Sequence, residues 1–171
     1  MKPNRRHIVA GTIGIVMIGG IAPVALASAP SGVTVENIVK ANLADPVNLN
    51  ADQIKLRTKV PTDILVQKVT FSQNGGRTGW HHHPGVVLVS VLSGAVTVWD
   101  SDCDSTTYGP GLAAGSAFTE SDHDPLEVTS AAGAVVYATF VVPQVVPTPV
   151  FRVEAPVVSC VGTTKSDDDR H

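Results

Sequence analysis

His81 and His83 are the residues of this chain best placed to do chemistry. They stand two apart in Trp80-His-His-His-Pro-Gly85. On an extended backbone both imidazoles therefore face one side and His82 faces the other. The same parity continues through Gly85, Val87, Val89 and Val91, which puts the pair at the mouth of an apolar interior. Neutral imidazole is a good ligand for divalent transition metals, and two rings on one face make a usable pair of ligands. The alternative is a metal-free interior whose histidines hydrogen-bond a ligand or each other.

His123 is a candidate third metal donor, although a histidine between Asp122 and Asp124 is equally at home in a solvated loop. Glu120, Asp122, Asp124 and Glu127 around it read as a solvated acidic loop, with room for a general base. Other chemistry finds little support. There is no serine-centred nucleophile elbow, and neither cysteine has a histidine neighbour. No P-loop, dinucleotide fingerprint, heptad or long repeat is visible.

The elements that must carry these residues read as strands. Val33 to Val39 reads as a first strand or a short helix, and Asp45-Pro46 stops it. Ile54 to Arg57 alternates, and Asp63 to Phe71 is β-branched and apolar. Asn74-Gly75-Gly76 turns the chain. Val86 to Leu92 is nearly all apolar, which predicts a strand buried on both faces. Ser93-Gly94 then turns into Ala95 to Trp99, and Gly133 opens a last long strand to Val142. Short strands with turns at this spacing predict an all-β sandwich or barrel.

With the histidines and turns in place, a resemblance emerges. The run Gly75-(x5)-His81-x-His83-(x3)-Val87-(x6)-Gly94 resembles the first motif of the cupin superfamily, G-(x5)-H-x-H-(x3 or x4)-E-(x6)-G. The glutamate is the exception, replaced by Val87. The second motif is degraded: aligned from Gly115, its histidine position falls at Leu126 and its asparagine at Ser130, with His123 three residues early. The resemblance implies a single small β-barrel or jelly roll over residues 60–142. It implies His81 and His83 as matched metal ligands, with His123 unmatched. A shell without carboxylate is neutral and soft, which favours Zn²⁺, Cu²⁺ or Ni²⁺ over Mn²⁺ or Mg²⁺. Cupin-like domains also pair through sheet edges, so the resemblance implies a homodimer.

The two ends frame this domain. Residues 1–27 read as a signal peptide: Lys2, Arg5 and Arg6 precede an uncharged run over residues 8–26, and Ala25-Leu-Ala27 supplies a cleavage pattern between Ala27 and Ser28. A second site after Ala29 would put Pro30 behind the cut. The uncharged run nearly suffices to span a bilayer, but its glycines and Pro23 weaken a long helix. Cleavage leaves no stable membrane anchor and a secreted or extracytoplasmic protein. Residues 28–59 then form an N-terminal arm, and residues 143–171 a proline-rich tail that ends in a solvated acidic run.

The whole chain has 171 residues and a formal net charge of -3. The leader carries three of its 12 basic residues and none of its 15 acidic ones, so the mature chain stands at -6. That balance excludes a nucleic-acid binder, which needs clustered Lys and Arg. Export makes Cys103 and Cys160 a candidate disulfide, against two free thiols. Such a bridge closes a long loop and stabilises by about 4 kcal/mol in the chain-entropy picture.

Three functions compete. The first is an exported module that binds a small-molecule ligand, with a divalent metal held by histidines. The second is a metal-dependent enzyme of the dioxygenase, isomerase or decarboxylase type that the resemblance brings with it. The third is a barrel that has lost its site.

Overall fold

A computed structural model describes residues 29–145 and 150–160. The leader, the Ala27–Ser28 cleavage pair, Pro147, Pro149 and the acidic run at 167–169 lie outside the described residues. Every named element is a strand, so the all-β expectation holds. In chain order they are β1 (Val33–Leu43), β2 (Asn48–Ala51), β3 (Ile54–Arg57), β4 (Thr62–Phe71), β5 (Gly76–Arg77), β6 (His81–His82), β7 (Val86–Gly94), β8 (Val96–Asp100), β9 (Ser105–Tyr108), β10 (Ala117–Glu120), β11 (Leu126–Ser130), β12 (Ala134–Pro143) and β13 (Val153–Glu154). No helix among the described residues is long and apolar enough to cross a membrane.

The strands form two main sheets that do not close into a barrel, which corrects the expectation of a single barrel. One sheet runs β1-β4-β12-β7-β10. The other runs β13-β6-β11-β8-β9, with β5 also paired to β11. β2 and β3 make a separate hairpin. The sheets share one core. Leu65, Val87, Val89, Val136, Phe140 and Val142 come from the first, and Val96, Leu126 and Val128 from the second. Period-two alternation is what sorts these residues inward, since successive side chains leave opposite faces of a strand.

β12 shows that alternation from end to end, with Ala134, Val136, Ala138, Phe140 and Val142 buried and the residues between them more exposed. β7 alternates too, and here the expectation of two-sided burial fails. Val87, Val89 and Val91 are buried, while Val86, Leu88 and Leu92 are about half exposed. The run is apolar on both faces, but among the described residues the core lies on the inner face alone.

Two segments outside residues 60–142 join the sheets. β1 pairs antiparallel with β4 almost throughout, with one irregularity between Asn37 and Val39. β13 pairs with β6, laying Val153 opposite His82 and Glu154 opposite His81. β7 ends at Gly94, whose φ is +74°. A Cβ there would lie 2.2 Å from the Gly133 carbonyl oxygen, so only glycine fits this turn.

Candidate metal centre

The histidine segment is held in a short, heavily tethered strand. Gly79 adopts a φ of 72°, which turns the chain into Trp80 and β6. Trp80 is 2% exposed and fixes the strand against the protein body. On one side of β6, His81 pairs with Leu126 of β11; on the other it pairs with Glu154 of β13. Past Pro84, Gly85 lets the chain press against β12, where a Cβ would lie 2.4 Å from the Val141 carbonyl oxygen.

The predicted parity is present. His81 and His83 are both 3% exposed, and their rings meet edge to face with centroids 4.8 Å apart. His82 turns the other way, with Nδ1 at 3.6 Å from Asp122 Oδ1. Each buried ring is oriented by a backbone carbonyl. His81 Nδ1 donates to Gly79 O at 2.8 Å, and His83 Nδ1 donates to Phe151 O. A carbonyl can only accept, so the proton sits on Nδ1 in both rings. This leaves each Nε2 as a lone-pair donor, the arrangement that metal-ligating histidines take from their outer-shell partners.

Glu120 supplies the third donor. Donor atoms of His81, His83 and Glu120 lie within 4.8 Å of one another, and all three residues are buried. Glu120 Oε2 is 2.8 Å from His83 Nε2. That contact lacks hydrogen-bond geometry, so His83 Nε2 is a buried nitrogen without a hydrogen-bond partner. A lone pair facing a carboxylate inside the protein is costly unless a proton or a metal ion lies between them. The three residues could hold a metal ion.

Burial lowers the pKa of His81 from 6.5 to about 4; the Glu120 charge opposes this and the Arg152 charge adds to it. His81 is thus neutral at physiological pH, as a ligand must be.

The carboxylate changes the donor set expected from the sequence. Glu120 belongs to β10, where Phe118 and Glu120 are buried and Ala117 and Thr119 are exposed. It is not part of a solvated loop. Glu127, from the same acidic stretch, is also buried and pairs with Arg77 at 2.7 Å. His123 stays outside the centre. Its side chain is 86% exposed, its φ is +84°, and its Nε2 pairs with Asp122 Oδ2 at 3.0 Å. The loop after β10 carries it into solvent, so the structure puts a carboxylate where a third histidine was expected. The soft, neutral shell that favoured Zn²⁺, Cu²⁺ or Ni²⁺ is accordingly replaced by two imidazoles and one carboxylate.

The centre borders a cavity of about 150 Å³ between the sheets. His81 and Glu120 reach its wall, with Gln67, Thr78 and Arg152 as further polar groups. Phe71, Phe118 and Val136 supply much of the apolar remainder. Farther off, Cys103 in the turn between β8 and β9 lies at disulfide distance from Cys160, with Cα atoms 5.3 Å apart.

Comparison with known proteins gives partial likenesses in fold. A conserved protein of unknown function from Streptococcus pyogenes matches with a TM-score of 0.42 and 14% identity, over 60% of this chain and 98% of that one. A cupin-like protein from Thermotoga maritima matches with a TM-score of 0.38 and 18% identity, over 59% of this chain and 80% of that one. No family model matches the chain, and no curated relative does.

Proposed function

We propose that this chain is an exported, cupin-like protein that holds a divalent metal ion at His81, His83 and Glu120 and binds a small molecule in the cavity beside it. The observation that carries this reading is the convergence of three buried donors within 4.8 Å, with both imidazole Nδ1 atoms already committed to backbone carbonyls. Export is supported by the basic, apolar and small-residue order of residues 1–27 and by the cysteine pair at disulfide distance.

The cavity favours a small, mostly apolar ligand whose polar groups meet His81, Glu120, Gln67, Thr78 or Arg152. Phe71, Phe118, Val89 and Val136 take the apolar part. A second reading, an enzyme, draws on the donor set. Two histidines and one carboxylate leave coordination positions open, as in catalytic zinc sites and non-haem iron oxygenases. A bound ion supplies Lewis-acid polarisation of the ligand there. The chain's own part is to fix the ligand's orientation and keep water out.

The test is metal analysis of the exported protein, purified without chelating resin, beside the His81→Ala/His83→Ala double variant. Titration with Fe²⁺, Zn²⁺, Mn²⁺, Cu²⁺ and Ni²⁺ should give one bound ion per chain in the parent and none in the variant. Equal binding by both proteins sinks the assignment. Turnover in a substrate screen with oxygen uptake recorded separates the enzyme from the binding module.

A further inference from the structure

Residues 150–160 lie against the histidine strand. β13 pairs with β6, and beyond it Ala155 N donates to Trp80 O at 3.0 Å. Arg152 Nη2 donates to Thr78 O at 2.8 Å, while its Nε holds Glu154 Oε1 at 2.6 Å. Phe151 presents its carbonyl to His83 Nδ1. The Phe151 ring is itself anchored, edge-on to Phe140 at 6.0 Å and beneath Lys40 Nζ at 5.6 Å. The described segment ends at Cys160, opposite Cys103. This strap thus contacts the residues just before the ligands (Thr78, Trp80), the ligand strand, and His83 itself.

β6 has only two residues and pairs with β11 at one position, so β13 supplies its other edge, while buried Trp80 and the Thr78–Val128 bonds anchor the residues before it. We infer that the strap is a positioning device for the metal centre: Phe151 O sets the His83 tautomer, and a Cys103–Cys160 bond keeps the strap seated. The inference rests on the metal reading only for its functional consequence. Its structural half, the tautomer of His83, stands independently.

The cysteine pair acts here through chain entropy. Cys160 lies nine residues beyond Phe151, and a bond to the β8–β9 turn confines the strap near its docked position. Without that bond, docking competes with the freedom of an untethered segment, and His83 loses its Nδ1 acceptor for part of the time.

The experiment compares the parent with Cys103→Ser/Cys160→Ser and, separately, Arg152→Gln, which cuts the contacts to Thr78 and Glu154 and leaves the cysteines; because it also removes a positive charge that acts on His81, only the His83 tautomer is read for it. ¹⁵N NMR of the imidazoles in the metal-free protein reads the His83 tautomer. Competition with a chromophoric chelator reads Zn²⁺ affinity. Both variants should shift His83 away from the Nδ1-protonated form, and the cysteine variant should weaken Zn²⁺ binding by roughly 10- to 100-fold, the usual cost of losing an outer-shell partner. His83 signals unchanged in both variants overturn the inference, whatever the metal does. A parent that binds no Zn²⁺, with His83 shifted in the variants, sinks the metal reading and leaves the strap's role intact. Should the cysteine variant fail to fold, Arg152→Gln decides alone.

Discussion

Glu120 and Val87 are direct cross-strand partners in the β10–β7 pair. Val87 occupies the position where the resembling motif carries its glutamate, and the carboxylate arrives instead from the strand beside it. Directly opposed residues have Cβ atoms only about 5 Å apart, so both positions serve the same small region of the interior.

Removing that donor should therefore disable the site, although Glu120 lies outside the recognisable motif. Glu120→Gln keeps the size and deletes the charge. Its metal affinity should fall by more than the roughly 100-fold typical of losing an outer-shell partner. His123→Ala should leave affinity unchanged, because that side chain is 86% exposed and paired with Asp122. Isothermal titration of both variants checks this. An intact Glu120→Gln site, or a damaged His123→Ala site, contradicts the assignment.

The pairing also predicts a compensating swap. Val87 is 0% exposed, so Val87→Glu alone buries a second carboxylate beside the first. An uncompensated buried charge should cost the metal-free protein about 3 kcal/mol or more. Adding Glu120→Val removes the repulsion, recovers part of that stability and leaves one carboxylate near the histidines. A double-mutant cycle in urea, with metal titration of each member, measures the coupling. Strictly additive losses mean that the two positions do not share a site.

Much of the site was legible because strand periodicity is simple. The inward parity of His81 and His83 follows from the spacing of two, and it needed only an extended backbone to hold. Glu120 carried the same signal in Ala117-Phe-Thr-Glu, where it shares parity with Phe118. Its neighbours Asp122, His123 and Asp124 masked it, since an acidic run ordinarily means solvent. The Phe151 contact was not legible at all. It joins positions 68 residues apart through a backbone carbonyl, which no side-chain pattern encodes. For the fold, turns and alternation located the strands. Whether two sheets close into a barrel depends on edge pairing, which those patterns leave open.

β7 supplies a test of one-sided burial. Its apolar run predicts equal importance for every residue, whereas the structure separates them. Val89→Ala removes buried methyl groups at 3% exposure and should cost about 2 kcal/mol, from lost transfer energy plus a cavity. Leu88→Thr, on the half-exposed outer face, should stay within about 0.5 kcal/mol of the parent. Urea denaturation of the two variants distinguishes these outcomes. Equal losses mean that the outer face is covered after all, by a second copy of the chain or by another element.

His81 has a folded-state pKa of about 4 against an ordinary 6.5, because burial penalises the charged ring. The unfolded chain therefore takes up its proton first as pH falls. Above about pH 6.5 the ring is neutral in both states and contributes no pH dependence. Between about 6.5 and 4 the unfolded state binds more protons, and stability declines. Below about 4 both states are protonated and the loss levels off, at about 3 kcal/mol for a shift of this size. Metal-free protein should thus show a decline over that window that His81→Gln largely lacks. Urea midpoints for both proteins at pH 7, 6, 5 and 4.5, with chelator present, provide the comparison. Carboxylates common to both proteins cancel in the difference. Parallel curves would show that His81 is not buried in its neutral form, and the ligand geometry built on its free Nε2 would fall with it.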